Sequence, residues 1–397
     1  MLRRPLALLA TALLLGAATV PGTARADQVR DDEESLLTAV RAQQAWNVSR
    51  GGGVTVAVLD SGVDEDQQDL AGSVTAGPDY TQGANPPGVL PKRLHGTNMA
   101  SIIAGHGHGP GGADGIIGVA PEARILSVRV VLENDEPGFQ IFNGNERFDG
   151  SIAKGIRYAV DHGAKVINMS LGKAESTKQD RQAVDYAVSK GVVIVAAAGN
   201  QGASRTARRD GHAPYSYPAS YPGVIAVAAV DAAHRHAGFS NRNSAVVVSA
   251  PGVKVIGAGP DDTYWVGDGT SPATAFVSGV VALIRSRYPG LQPALVTQAI
   301  VASTANRPSS GYDPGVGFGE VDAAAALAAA QRLTGAKMTG AGQDAGRPLT
   351  GDGAVPPIQV VHRDNGVLVT WSVVGLLGLV GLTVAVGFLV ARRPARS

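Results

Sequence analysis

The sequence predicts an α/β domain, a central and mostly parallel sheet flanked by helices, with a single transmembrane helix at its C-terminal end. Short apolar runs rich in valine, isoleucine and alanine alternate with helix-length patterns, as expected of parallel strands buried on both faces. Near the end of the chain, Val367 to Ala391 are 25 residues without a charge, long enough to cross a bilayer with some tilt. The 397 residues are 44% hydrophobic and 17% charged. That balance excludes a disordered chain and supplies enough apolar material for a large core.

The elements follow in order. Arg3 and Arg4, the apolar run Leu6 to Val20 and Ala24-Arg25-Ala26 read as a secretory signal peptide over residues 1–26. An uncleaved anchor is the alternative. Residues 27–50 form an N-terminal extension, acidic at Asp31 to Glu34, in which Ser35 caps a helix from Leu36 to about Trp46. Gly51-Gly52-Gly53 ends it, and the main domain occupies residues 51–334. Its strands are Val54–Leu59, Ile125–Val131, Val166–Met169, Val192–Ala197 and Val224–Val230. Ser151–His162 and Thr177–Lys190 lie between them as helices, and Thr274–Tyr288, Pro293–Ser303 and Val321–Leu333 follow. Two segments break the periodicity, Glu133–Phe148 and Gln201–Tyr217. They are read as surface loops, either tolerated insertions or carriers of specificity. Residues 335–366 lack an apolar period and read as a flexible stalk. The span follows at 367–391, and Arg392, Arg393 and Arg396 mark 392–397 as a cytoplasmic tail. The expected topology is single-pass in the cell membrane, with the main domain outside the cytoplasm.

Charge and cysteine exclude several functions. The formal net charge is +1, but six of the 34 basic residues lie at the two ends (Arg3, Arg4, Arg25, Arg392, Arg393, Arg396), which leaves 28 against 33 acidic ones. Such an interior offers no footprint for nucleic acid. With no cysteine, disulfides, thiolate zinc sites and cysteine nucleophiles are ruled out.

In an open parallel sheet, ligands collect beyond the carboxyl ends of the strands. Asp60 ends the first apolar run, where it faces a cleft or serves as a cap or turn residue. His95 opens a helix-like stretch to Ala104 whose Gly96, Ala100 and Ala104 allow close packing; taken alone it is as readily structural. Ser271, in Gly269-Thr270-Ser271-Pro272-Ala273-Thr274, is an N-cap candidate, and a nucleophile there benefits from the helix dipole. Asn200 follows the strand ending at Ala197, as a turn residue or as a donor to an oxyanion.

Taken together and in this chain order, Asp60, His95, Asn200 and Ser271 lie in stretches that resemble the subtilisin-like serine proteases, the subtilases. The matching segments are Val56–Gly62, His95-Gly96-Thr97, Val166–Gly172, Ala197-Ala198-Gly199-Asn200 and Gly269-Thr270-Ser271. The resemblance covers roughly residues 40 to 334 and implies the subtilisin-like fold and serine endopeptidase activity. It makes Ser271 the nucleophile, His95 the base, Asp60 its orienting acid, and Asn200 with the Ser271 N–H the oxyanion hole. It further makes Ser170, Leu171 and Gly172 the strand that pairs with substrate, Ala197, Ala198 and Gly199 a pocket wall, and Ser216 part of that pocket's floor. The chain departs from the family in having Ala275 where Pro is usual and Pro at 272; a Ser271 misplaced by Pro272 would leave a pseudoenzyme.

The signal peptide, short extension, subtilase domain and terminal span resemble the mycosins, membrane-anchored subtilases associated with type VII secretion. Mycosins commonly carry cysteines, and this chain has none. The 33 residues between Ala26 and Asp60 are too few for the folded inhibitory pro-domain common in subtilisins. The expected partners are protein or peptide substrates, the membrane and proteins of a secretion complex, and the alternative role is a scaffold whose catalysis is dispensable. No cofactor is required. Structural calcium occurs in the family, but no EF-type ligand run supports it here. His106 and His108, with no carboxylate nearby before Asp114, read as a flexible loop and not as a metal site.

Overall fold

The computed structural model describes residues 24–335 and 365–391. Helices α1 (Ala24–Ala39) and α2 (Ala42–Ala45) precede strands β1 (Thr55–Asp60) and β2 (Val74–Asp79). Helix α3 (Leu94–Ala104) leads through the short strands β3 (His106–His108) and β4 (Asp114–Ile117) to β5 (Arg124–Arg129). Helices α4 (Phe139–Gly144) and α5 (Ser151–Asp161), strand β6 (Val166–Met169), helix α6 (Lys178–Ser189) and strand β7 (Val193–Ala197) come next. After α7 (Arg205–Asp210) come β8 (Val224–Val230), β9 (Val246–Pro251) and the hairpin strands β10 (Val255–Ala258) and β11 (Tyr264–Gly267). Helices α8 (Thr270–Arg287), α9 (Pro293–Ala302) and α10 (Ala323–Leu333) close the unit, and α11 (Asn365–Ala391) belongs to a second one.

Seven strands make the main sheet in the order β2-β5-β1-β6-β7-β8-β9, and every pairing is parallel. Alternation along the strands divides the core in two. Val56 and Val58 of β1, with Val193 and Val195 of β7, face α3, α8, α9 and α10. Ala57 and Leu59, with Ile194 and Ala196, face Ile152 and Ile156 of α5 and Val184 of α6. Helix α8 is buried along most of its length, with Phe276 only 2% exposed, and burying each such aliphatic or aromatic side chain contributes about 1.5–3 kcal/mol. The chain leaves β1 for β5 and β2 on one side and continues through β6 on the other. That reversal opens a crevice at the carboxyl ends of the central strands.

Some expectations are corrected. The first helix does not start behind Ser35: α1 runs through it, and the break comes at Arg41, whose φ of 55° is left-handed. Leu37, Val40, Ala42 and Ala45, all ahead of Gly51, are buried in the same core as α8. His106–His108 is not a flexible loop but an antiparallel partner of Asp114–Ile117, and a carboxylate is present: Asp69, distant in sequence and fully buried, meets His108 Nδ1 at 2.6 Å. No cluster of three metal-ligating side chains occurs among the described residues. Strands β2, β3, β4, β9, β10 and β11 have no counterpart in the sequence reading, and the two segments read as loops contain the short helices α4 and α7.

Residues 1–23, most of the expected signal peptide, lie outside the described residues, as do 336–364 of the expected stalk and the tail from 392. Helix α11 has 27 residues and contains the uncharged run, but its described side chains cover only 369–382 and 384. Among the described residues no helix is long and apolar enough to cross a membrane.

Candidate active site

Three strand ends and two helix starts converge on the crevice. Asp60 is the last residue of β1 and is 1% exposed. Its Oδ1 accepts the Ser61 N–H at 2.7 Å and faces His95 Nδ1 at 2.7 Å. Its Oδ2 is buried without a hydrogen-bond partner, so the carboxylate is satisfied through one oxygen. His95 is the second residue of α3, and Gly96 brings the helix down onto the end of β1: a Cβ there would lie 2.1 Å from the Gly62 carbonyl oxygen. Burial pulls the imidazole pKa down, but the charge and hydrogen bond of Asp60, with the charge of Glu133, outweigh it and hold it above 6.5. The side chain remains 39% exposed, and no hydrogen bond occupies Nε2.

Ser271 lies in the first turn of α8. Gly269, not Ser271, is the N-cap residue; the helix starts at Thr270, two residues earlier than an N-cap at Ser271 implies and four earlier than Thr274. Gly269 and Thr270 donate their N–H groups to the Gly252 carbonyl and Asn200 Oδ1, while Pro272 has none to give. The Ser271 N–H therefore stays available at the positive end of the helix dipole, and a proline in the first turn is tolerated. Ser271 Oγ donates to the Ser170 carbonyl at 3.0 Å, and Ser170 Oγ donates to the Ser271 carbonyl at 2.9 Å. The serine is thus tied to the segment after β6 and makes no hydrogen bond to His95. Asn168 and Ser278 continue this link between β6 and α8.

Asn200 follows β7. Its Oδ1 accepts both the N–H and the Oγ–H of Thr270 at 2.9 Å, which leaves Nδ2 unpaired beside Gly269. Ser170, Leu171, Gly172, Ala197, Gly199, Asn200, Ser216 and Ser271 line one cavity of about 240 Å³. Ser216 closes against Gly172, where a Cβ would meet its Oγ at 2.1 Å. Ala198 does not line this cavity; it is buried with Ala228 and Val246. A second cavity of about 500 Å³ holds Asp60, His95, Glu133, Phe139 and Phe142, and Ser170–Gly172 borders both. Sequence reasoning missed Thr270, which aims Asn200, and Glu133, which accepts the His95 N–H at 2.9 Å. Thr270 lies inside the Gly269-Thr270-Ser271 segment, whereas Glu133 carries no signal beyond opening an aperiodic loop.

A parallel α/β protein with an Asp–His pair in one cavity, and a serine at a helix start with an aimed amide in a second that shares the Ser170–Gly172 border, has the architecture of a serine hydrolase. The model of the Subtilase family matches residues 51–319. Thermitase from Thermoactinomyces vulgaris is 40% identical over 62% of this chain and 80% of its own length. Subtilisin from Bacillus pumilus is 37% identical over 69% of this chain and 92% of its own. Among solved structures, MycP1 from Mycobacterium smegmatis superposes with a TM-score of 0.60 at 30% identity, covering 74% of this chain and 84% of that one. MycP3 protease from the type VII (ESX-3) secretion system gives 0.59 at 30%, over 74% and 87%. The chain belongs to the subtilase family and is a subtilisin-like serine endopeptidase.

Proposed function

We propose that the cleft hydrolyses peptide bonds through Asp60, His95 and Ser271. Rotation about the Ser271 Cα–Cβ bond releases Oγ from the Ser170 carbonyl and turns it toward His95, a contact that often tightens only when substrate binds. Oγ attacks the scissile carbonyl, and His95 Nε2 takes its proton while Asp60 stabilises the imidazolium. The negative oxygen of the tetrahedral intermediate receives hydrogen bonds from Asn200 Nδ2 and the Ser271 N–H. Collapse leaves an acyl-enzyme as His95 returns the proton to the departing amine. Water, deprotonated by the same imidazole, then frees Ser271. Extended substrate runs along Ser170–Gly172, with one side chain in the cavity walled by Ala197 and Gly199 and floored by Ser216. The observation that carries this reading is the 2.7 Å contact between buried Asp60 and half-exposed His95, beside the cavity that holds Ser271. With the full-length chain in detergent, a serine-directed phosphonate should modify Ser271, and Ser271→Ala should abolish labelling. A folded wild type that stays unlabelled overturns the reading.

Helix α11 serves as a membrane anchor in this proposal, with the arginines after it in the cytoplasm. The likeness to MycP1 and MycP3 supports a place in type VII secretion. A second reading, a structural subunit whose catalysis is dispensable, draws on one observation: Ser271 Oγ is bonded to the Ser170 carbonyl and not to His95. Secretion that survives Ser271→Ala but not loss of the whole chain would select it.

A further inference from the structure

We propose that Glu133 is a positioning residue of the catalytic centre, its carboxylate fixing the end of β1 to the start of α3 and thereby setting where the His95 imidazole sits. This rests on the catalytic roles proposed above. One oxygen, Oε1, accepts both the Ser61 Oγ–H at 2.8 Å and the His95 N–H at 2.9 Å. Ser61 in turn gives its N–H to Asp60 Oδ1 and accepts the Gly96 N–H at 3.1 Å. With the Asp60–His95 contact these bonds close a ring through Asp60, Ser61, Glu133 and His95.

The need for such a clamp comes from the helix itself. The first N–H groups of any helix lack partners within it. In α3 the N-cap position is Arg93, left-handed at φ 57° and with no side-chain cap. A carboxylate from 38 residues further along the chain supplies the missing acceptor and favours the positive end of the helix. Glu133 is held in its turn. Its N–H lies 3.4 Å from Glu136 Oε1, and buried Glu136 is anchored by Arg129 Nη2 at 2.6 Å.

The charges around His95 come from every neighbouring element. Asp60 stands on β1, Arg129 on β5, and Glu133, Asp135 and Glu136 follow β5. Lys92 and Arg93 precede α3; Lys92 pairs with Asp135, and Arg93 packs beside Gly62. Arg129 is engaged by Asp79 and Glu136. Ser170 and Ser271, from the far side of the cleft, are neutral. Asp60 and Glu133 are the charges that favour the protonated imidazole.

The test compares full-length wild type, Glu133→Gln and Glu133→Ala in detergent, following peptide hydrolysis against pH and the His95 titration by NMR of histidine-labelled protein. In Glu133→Ala, kcat on the alkaline plateau should fall about tenfold or more, from imidazole misplacement, with KM changed less than about threefold. Glu133→Gln retains an acceptor without the charge, so it should recover most of that loss while His95 titrates at lower pH than in wild type. Wild-type kcat and an unmoved His95 titration in Glu133→Ala would overturn the proposal. So would a Glu133→Gln variant as slow as Glu133→Ala with its His95 titration unmoved, which is what a packing role alone predicts. A wild type that neither cleaves nor labels sinks the catalytic reading instead, and in that case the NMR titration still decides whether Glu133 acts on His95.

Discussion

Asn200 is aimed by its own carbonyl. Because Oδ1 is occupied by two donors from Thr270, the amide cannot flip without breaking both bonds, which fixes Nδ2 for the oxyanion role proposed above. Such preorganisation is what makes a donor to a developing oxyanion effective. Asn200→Ala should therefore lower kcat by about 10²–10³, with KM within about threefold of wild type, in steady-state peptide hydrolysis. A rise in KM at unchanged kcat would mean instead that the amide binds the ground state. Asn200, like Asp60, His95 and Ser271, was legible in the sequence because each sits where a strand ends or a helix starts, inside a short stretch that also fixes its surroundings. Glu133 was not legible, because its role exists only through contacts that join three separated segments.

At the scale of elements, the buried strands read well and the edges did not. Every residue of β6 and of β8 is buried, so their apolar runs have no competing explanation, and their bounds came out as expected. Strand β2 is the partly exposed edge of the sheet and contains Gly77-Pro78, so neither alternation nor propensity marks it. The small hairpin of β3 and β4 is mostly glycine, histidine and aspartate, and the polar contacts that hold it come from afar. Asp69 Oδ2 accepts the Ile116 N–H, Arg30 donates to the Gly112 and Asp114 carbonyls, and Glu33 of α1 accepts the Ile117 N–H at 2.8 Å. Burial raises the Glu33 pKa from 4.5 to about 8; Ile117 and Arg30 oppose this, and Asp69 adds to it. A folded-state pKa above the unfolded one means that the fold prefers protonated Glu33. The stabilisation is then complete below pH 4.5 and is lost as pH rises toward about 8. Glu33→Gln keeps an acceptor for Ile117 without the ionisation. Its melting temperature should exceed that of wild type at pH 8.5 and match it at pH 4; an equal or lower value at pH 8.5 would place the charge in a compensated site.

On the scale of the whole molecule, the chain divides into a folded unit and a helix with different solvent requirements. In the first, apolar side chains go inward to two cores. In α11, Trp371, Leu376, Leu377 and Leu382 are all more than 60% exposed, although they point to different sides of the helix. A helix apolar all round is stable when lipid or protein surrounds it, since each exposed leucine in water forfeits about 1.5–3 kcal/mol of burial. The anchoring proposed above takes lipid as that surrounding, with the arginines that directly follow the uncharged run on its cytoplasmic side. The full-length chain should therefore sediment with membranes, resist extraction by alkaline carbonate, and be released by detergent. A chain ending at residue 335 should stay in the soluble fraction and retain the cleft. Leu377→Arg, well inside the run, should weaken insertion by about 2.5–3.5 kcal/mol and shift part of the protein out of the carbonate-resistant pellet. Quantitative release of the wild type by carbonate would leave α11 as a helix that some protein must cover. The search for a partner would then begin at its leucine-rich surface and not at the cleft.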